Sequence, residues 1–158
     1  MATPVQWLDD NEQRVWRQWI RVHAQLNARL ARQLADDCGL SLPDFEVLVT
    51  LSGTADHRMR VVALAEGMQW ERSRLSHHLT RMGKRGLIER QECPQDRRGA
   101  FVAITVEGLT ALEGAAPGHV AEVRANVFDT LSAQELGQLD HLTAKLLAGL
   151  SEPADSDA

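Results

Sequence analysis

The most informative pattern of hydrophobic and polar positions lies in the middle of the chain, between Trp70 and Arg98. On a period of about 3.6 residues, Leu75, Leu79 and Met82 fall on one side of a helix. The other side and its flanks carry hydroxyl, imidazole and cationic groups: Arg72, Ser73, Arg74, Ser76, His77, Thr80, Arg81 and Lys84. The pattern predicts an amphipathic helix with a buried apolar side and an outer side that carries no carboxylate.

A short hairpin is predicted directly after this polar helix. Gly86 ends the helix, and a short apolar strand follows it. A turn at residues 94–99 carries Arg97 and Arg98 at its tip and returns into a second strand at residues 101–104. The hairpin therefore presents two cations at the end of two strands.

A second, shorter helix is predicted before the polar one. Residues 61–65 are apolar and Gly67 closes them, only a few residues before the next helix begins. Residues 52–57 are predicted to form a loop in front of this pair. Helix, short turn, polar helix and basic hairpin together describe a winged helix-turn-helix.

Long apolar helices are predicted before this unit. The first runs from about Glu12 to Asp37 and ends at Gly39. Its wide apolar stripe consists of Val15, Trp16, Trp19, Ile20, Val22, Leu26, Leu30 and Leu34. Ser41 caps the next helix, whose apolar side consists of Phe45, Val47, Leu48 and Leu51.

Two further helices are predicted after the hairpin. Gly114, Pro117 and Gly118 are expected to bend or break the first of them. Ser132 and Glu135 form a capping box that begins the last helix. The apolar side of that helix consists of Leu136, Leu139, Leu142, Leu146, Leu147 and Leu150.

These elements predict a mainly α fold with a small two-stranded β-wing, which is an α+β class. Residues 41–104 form the winged helix-turn-helix lobe, and residues 5–38 and 105–150 supply long helices beside it. One subunit does not easily cover the apolar surface of those helices, so we expect a twofold homodimer, with an intrachain core as the alternative. Residues 151–158 are an acidic tail that we expect to be disordered.

The charge distribution separates the central unit from the rest of the chain. The whole chain has a formal net charge of −5. Residues 70–98 carry eight Lys and Arg against four acids, a net charge of +4, so the remainder carries −9. Salt screens exposed charges beyond about 8 Å, so distant acids oppose contact between the basic block and a polyanion only weakly.

The remaining composition narrows the class of protein. No apolar run approaches the roughly 18 residues of a membrane helix, and the first residues do not resemble a secretory signal. These features predict a cytoplasmic protein that does not enter a membrane. Cys38 and Cys93 are too few and too far apart to predict a disulfide framework or a zinc site.

The chain resembles the multiple-antibiotic-resistance regulator (MarR) family of bacterial transcription factors over nearly its whole length. The resemblance rests on Leu64 and Ala65, SRLSHHL at residues 73–79, KRGLIER at 84–90, DRRG at 96–99 and ITVEG at 104–108. It implies a homodimer that binds a pseudo-palindromic double-stranded DNA operator and is released by a small ligand or by oxidation. No cofactor is implied.

The same resemblance implies roles for individual residues. Arg98 matches the arginine of the wing that enters the minor groove, and Asp96 matches the residue that holds the wing turn. Arg97 lies beside them at the tip. In the polar helix, the matching DNA-binding positions are residues 72–74 together with Ser76 and His77, and the helical pattern adds Thr80, Arg81 and Lys84.

The resemblance also implies an effector site between the long helices and the DNA-binding lobe. Trp16, Trp19 and Phe45 are the candidate lining residues, and aromatic core packing is the alternative for all of them. A redox-sensing regulator that uses Cys38 or Cys93 is a further alternative, although Cys38 lies at the far end of its helix.

Two other classes of protein are less consistent with the sequence. An enzyme is disfavoured because the chain has no nucleophile motif and no glycine-rich phosphate loop. Its histidines, at positions 23, 57, 77, 78, 119 and 141, are scattered, and the neighbours His77 and His78 point in different directions on a helix, which predicts no metal site. A winged helix that binds another protein is disfavoured by the cationic helix side and the arginine-rich tip.

Overall fold

The structure, a computed structural model, describes residues 5–92 and 100–151. Its elements are α1 (Asp10–Cys38), α2 (Leu42–Ser52), β1 (Arg58–Arg60), α3 (Val61–Gly67), α4 (Arg72–Lys84), β2 (Ile88–Glu92), β3 (Ala100–Ile104), α5 (Val106–Asn126) and α6 (Ala133–Ser151). A short 3-10 turn at Phe128–Thr130 precedes α6. The predicted fold class, mainly helical with a small β-wing, is confirmed.

Local signals set the ends of the helices. Asp9 and Glu12 form a capping box at the start of α1, and Gly39 ends that helix in the left-handed region at φ 64°. Ser132 accepts from the backbone N–H of Glu135, whose carboxylate accepts from the Ser132 N–H. The predicted capping box of the last helix is therefore confirmed, as is the end of α1 at Gly39.

The small sheet contains a strand that the sequence pattern did not predict. Its order is β1-β3-β2, and both pairs are antiparallel. Arg58 pairs with Ala103 and Ile88 pairs with Ile104. The strand β1 has three residues, too few for a period-2 pattern to be recognised, and its pairing with β3 connects positions far apart in the sequence.

The core lies between the central helices and the inner face of the sheet. Its fully buried side chains are Leu34, Leu40, Val47, Leu48, Leu51, Leu64, Leu75, Leu79, Met82 and Val102. Leu75, Leu79 and Met82 come from α4, so the predicted apolar side of that helix faces inward. This packing leaves the opposite side of α4 at the surface.

A bend or a break was the prediction for α5, and a break is wrong, because the helix continues from Val106 to Asn126 through Pro117. A proline inside a helix removes one hydrogen bond, here to the carbonyl of Glu113. Glu113 and Pro117 are both exposed, so water can satisfy that carbonyl. Ala115, on the buried side, packs into the core and holds the helix in place.

The chain divides into two compact units, one ending at His119 and the other beginning at Val120. The first contains the sheet and the core. Within the second, no residue of α6 is buried. In the part of the chain that the structure describes, no helix is both long enough and apolar enough to cross a membrane.

Candidate nucleic-acid interface

The outer side of α4 is the candidate site. Seven of the eight predicted helix residues are exposed: Arg72, Ser73, Arg74, His77, Thr80, Arg81 and Lys84. Ser76 is half-buried. The helix begins after Glu71 and contains no acidic residue, so its surface is cationic and rich in hydrogen-bond donors.

Arg72 and Arg74 lie near the start of α4 and have neighbours within the chain. Arg72 is 3.8 Å from the carboxylate of Glu66, but both side chains are well exposed, so this ion pair contributes little stability. Arg74 stacks over Trp70, with its guanidinium carbon 4.2 Å from the ring centroid. The stacking holds the Arg74 side chain against the body of the protein.

Ser76 connects α4 to the sheet. The Nη2 group of Arg90, on β2, donates to the Ser76 carbonyl at 2.9 Å and to its hydroxyl oxygen at 3.1 Å. The Thr80 hydroxyl donates to the same carbonyl at 2.9 Å. Contact between Ser76 and DNA stays a prediction, and the structure shows that Ser76 connects β2, at the base of the wing, to α4.

The tip of the wing lies outside the described residues, and with it Cys93, Asp96, Arg97 and Arg98. The described strands on either side of it are in register, with Glu92 opposite Ala100. On the outer face of the sheet, Arg58 and Arg60 each place a guanidinium 5.4 Å from the Phe101 ring centroid. Sequence reasoning missed these two cations because it did not predict β1.

Asp44 is a buried carboxylate between α2 and the end of α4. Its Oδ2 accepts from Arg85 Nη1 at 2.6 Å and from the Ser41 backbone N–H at 2.9 Å. Burial raises the pKa of Asp44, but hydrogen bonds from Ser41 and Arg85 outweigh it and leave the pKa below its ordinary value. Arg85 is one of the eight cations of residues 70–98, but its guanidinium is paired with the buried carboxylate of Asp44.

His78 is the second buried polar residue of this region. Its Nε2 lies 3.1 Å from Asp44 Oδ1, and its Nδ1 lies 3.0 Å from Arg81 Nη2. Burial lowers the pKa of His78 despite the attraction of Asp44, and the nearby cations Arg81, Arg74 and Arg85 lower it further. His78 is therefore neutral near pH 7. The sequence pattern predicts that His78 and His77 point in different directions, but it does not predict the contacts of His78 with Asp44 and Arg81.

The three candidate effector residues do not share one site within this chain. Phe45 is 7% exposed, whereas Trp16 and Trp19 are 55% and 48% exposed on the N-terminal half of α1. Phe45 packs against His119, with the ring centroids 4.3 Å apart. Trp19 lies about 12 Å along the helix from the nearest α1 residue of the Phe45 site, Asn27.

Phe45 lines a hollow of about 340 Å³ between α1, α2 and His119. Its walls are Asn27, Leu30, Leu42, Phe45, Glu46, Val49, Thr50 and His119. Burial lowers the pKa of His119, whose Nδ1 has no hydrogen-bond partner among the described residues. Cys38 is half-buried at the end of α1, and the described residues contain no cluster of three potential metal ligands.

Comparisons with known proteins agree with this geometry. The model of the MarR family matches residues 40–99. Two crystal structures of MarR family transcriptional regulators from Streptomyces coelicolor are each 38% identical to the chain. AbsC has a TM-score of 0.86, and the match covers 92% of this chain and 98% of AbsC. Sco3205, whose structure is a complex with DNA, has a TM-score of 0.89, and the match covers 98% of this chain and 96% of Sco3205.

Two named repressors are more distant relatives. The HTH-type transcriptional repressor YetL of Bacillus subtilis is 27% identical over 72% of this chain and 67% of its own length. The transcriptional repressor MprA of Escherichia coli is 30% identical over 72% of this chain and 64% of its own. The chain thus spans about two thirds of the length of these relatives.

Proposed function

Because the chain belongs to the MarR family of transcriptional regulators, we propose that it is a ligand-responsive repressor that binds a palindromic operator as a homodimer. The observation that carries this proposal is the outer side of α4, which is exposed, cationic and free of acidic residues. A helix of this composition suits the phosphates and base edges of a major groove. The relative Sco3205 was crystallised in complex with DNA, which supports the same use of the fold.

The proposed DNA contacts fall into two groups. Along α4, Arg72, Ser73, Arg74, Ser76, His77, Thr80, Arg81 and Lys84 face the major groove, where they meet phosphates and bases. From the family resemblance, we assign Arg98 to the minor groove, with Arg97 beside it, and Asp96 to the wing turn. A narrow A·T-rich minor groove concentrates negative potential, which an inserted arginine neutralises.

The homodimer is proposed from two sets of exposed apolar side chains, one on α1 and one on α6. On α1, Val15, Trp16, Trp19, Ile20 and Val22 are all exposed in the single chain. On α6, Leu136, Leu142, Leu146, Leu147 and Leu150 are exposed as well. A partner subunit that covers these side chains removes them from water, and a twofold pair places two α4 helices about 34 to 36 Å apart on DNA.

Repression is proposed because YetL and MprA are both named as repressors. A regulator whose operator overlaps a promoter blocks the polymerase and lowers transcription. Once the operator is known, transcription in vitro from a template that carries it at the promoter shows whether the protein lowers or raises the amount of transcript. More transcript on addition of the protein would contradict repression.

The hollow beside Phe45 is the proposed effector site. Four of its eight lining residues are apolar, and the Nδ1 of His119, which has no hydrogen-bond partner among the described residues, is a polar group to which a ligand can bind. These features suit a small apolar ligand with one hydroxyl or carboxyl group. Compounds of this class should raise the melting temperature of the wild type and not that of Val49→Trp, whose indole fills the hollow.

A redox regulator and a protein-binding winged helix are less well supported. Cys38 is half-buried at the end of α1, and Cys93 lies outside the described residues. The DNA complex of Sco3205 favours a DNA-binding role over a protein-binding one.

The decisive experiment is in vitro selection of duplex DNA by the purified protein. We expect enrichment of a palindrome whose half-sites lie about one helical turn apart. Arg98→Ala and His77→Ala should weaken binding to the selected site, with Arg32→Ala, an exposed α1 variant, as the control. A pool that shows no enrichment after repeated rounds would contradict the proposed function.

A further inference from the structure

We propose that His78, buried beside Asp44, is a positioning residue that orients Arg81 toward the DNA backbone. The inference rests on the proposed operator binding and assigns a role to two buried residues outside the DNA-contacting set. Asp44 is 3% exposed and His78 is 6% exposed, so neither can reach a DNA duplex itself. Arg81 is exposed and stands at the surface end of the same chain of contacts.

The hydrogen-bonding capacity of the three groups fixes the state of His78. A guanidinium has donors and no acceptor, so the 3.0 Å contact between Arg81 Nη2 and His78 Nδ1 requires Nδ1 to accept. The imidazole proton is therefore on Nε2. That nitrogen lies 3.1 Å from Asp44 Oδ1, outside hydrogen-bond geometry, so Asp44 stabilises this tautomer through its negative charge.

The buried end of this chain of contacts is fixed from two elements. Asp44 belongs to α2, where it closes a capping box with Ser41 and receives Arg85. Trp70, which precedes α4, packs edge-on against the imidazole with the ring centroids 5.4 Å apart. The charged groups that face His78 are Asp44 from α2 and Arg74, Arg81 and Arg85 from α4 and its C-cap. The imidazole has little freedom to turn.

An arginine held in this way suits phosphate binding. Only one of its five N–H groups is used by His78, so the others remain to face a phosphate. A free arginine loses rotamer entropy when it is ordered on a phosphate, and the contact with His78 orders the Arg81 side chain before DNA binds. His78 therefore raises affinity through Arg81 and has no effect of its own.

A double-mutant cycle tests this dependence. Operator affinity is measured by fluorescence anisotropy for the wild type, His78→Phe, Arg81→Ala and the double variant. We expect each single substitution to weaken binding about tenfold and the double variant to bind like Arg81→Ala alone. Independent effects, which give a loss of about a hundredfold in the double variant, would overturn the proposal.

Two further variants separate positioning from a general loss of structure. His78→Asn keeps an amide oxygen close to the position of Nδ1, so it should recover most of the lost affinity. Arg74→Ala removes a cation that stacks on Trp70 and does not contact Nδ1, so its effect should add to that of His78→Phe. Non-additivity of the same size with Arg74→Ala would show that His78→Phe acts by disturbing the whole helix, and would overturn the proposal.

A measurement on the wild type does not depend on how the variants fold. Nitrogen-15 NMR of the histidine side chains should show His78 protonated at Nε2 and unprotonated at Nδ1 near neutral pH. A proton on Nδ1 would overturn the proposal even if the operator is bound tightly. A wild type that binds no duplex but shows the expected tautomer would instead overturn the proposed function, and the role of Arg81 with it.

Discussion

Arg85 and Asp44 lie 41 positions apart in the chain and form an ion pair with Nη1 2.6 Å from Oδ2. The other guanidinium nitrogen of Arg85 donates to the carbonyl of Gly39 at 2.7 Å. One side chain thus joins the C-cap of α4 to the first turn of α2 and to the residue that ends α1. The pair fixes the C-terminal end of α4 against the core.

Loss of this pair should destabilise the protein. Removing one partner of a buried ion pair costs about 3 to 5 kcal/mol, and because Arg85 is partly exposed we expect about 2 kcal/mol for Arg85→Ala. Urea unfolding followed by circular dichroism measures the change. Arg32→Ala, on the exposed side of α1, is the matched control and should leave the midpoint nearly unchanged. Equal midpoints for the two variants would show that the pair contributes nothing.

Stability should fall as the pH decreases through the histidine range. Burial holds the pKa of His78 and His119 below the ordinary value of 6.5, so the unfolded chain takes up protons first. Their contribution is complete above that value and is lost as the pH falls below it. Asp44 does not change this trend, because its pKa is lowered and its contribution to stability is lost only below the ordinary value of 3.8. Urea unfolding at about pH 7.5 and about pH 6 tests this, and a constant or rising stability would contradict it.

Gly108 and Gly114, both in α5, should respond in opposite directions to alanine. A Cβ at Gly108 would collide with the carbonyl oxygen of Leu87 and lie 2.9 Å from the Ile104 side chain, so Gly108→Ala should cost about 2 kcal/mol. A Cβ at Gly114 meets nothing within 4 Å, so Gly114→Ala should raise the free energy of unfolding by about 0.5 to 1 kcal/mol. Thermal unfolding of both variants measures the difference. A destabilised Gly114→Ala would show that α5 needs that glycine for another reason.

Lys84 should contribute to DNA affinity through its charge. If its ammonium group neutralises one phosphate, Lys84→Ala should weaken binding and reduce the slope of log affinity against log salt by about 1. The control is Lys145→Ala, an exposed lysine on α6. Anisotropy titrations at several salt concentrations give the slope, and identical slopes for both variants would remove Lys84 from the interface.

Leu146 should lie in the dimer interface. It is exposed in the single chain, on a helix in which no residue is buried, so Leu146→Glu should place a charge in the apolar contact and favour monomers. Gln138→Glu, an exposed position on the same helix, introduces the same group as a control. Sedimentation equilibrium distinguishes the two states. A dimeric Leu146→Glu would place the interface elsewhere.

Much of the architecture could be predicted from the sequence, because helices are determined by neighbours along the chain. The period of Leu75, Leu79 and Met82 predicted which side of α4 is buried, and Gly39 predicted where α1 ends. The exposure of the cationic residues on α4 followed from the same period. These features depend on groups within a few residues of one another, where spacing alone decides the outcome.

Only the tertiary structure decided the features that depend on distant parts of the chain. The pairing of Arg58 with Ala103 added a third strand, and the core around Ala115 kept α5 continuous through Pro117. The role of Arg85 changed for the same reason, since a cation that looked available to DNA is bound to a carboxylate on another helix. Periodicity shows which way a side chain points, whereas its partner depends on how the elements pack, and that information is spread over the whole chain.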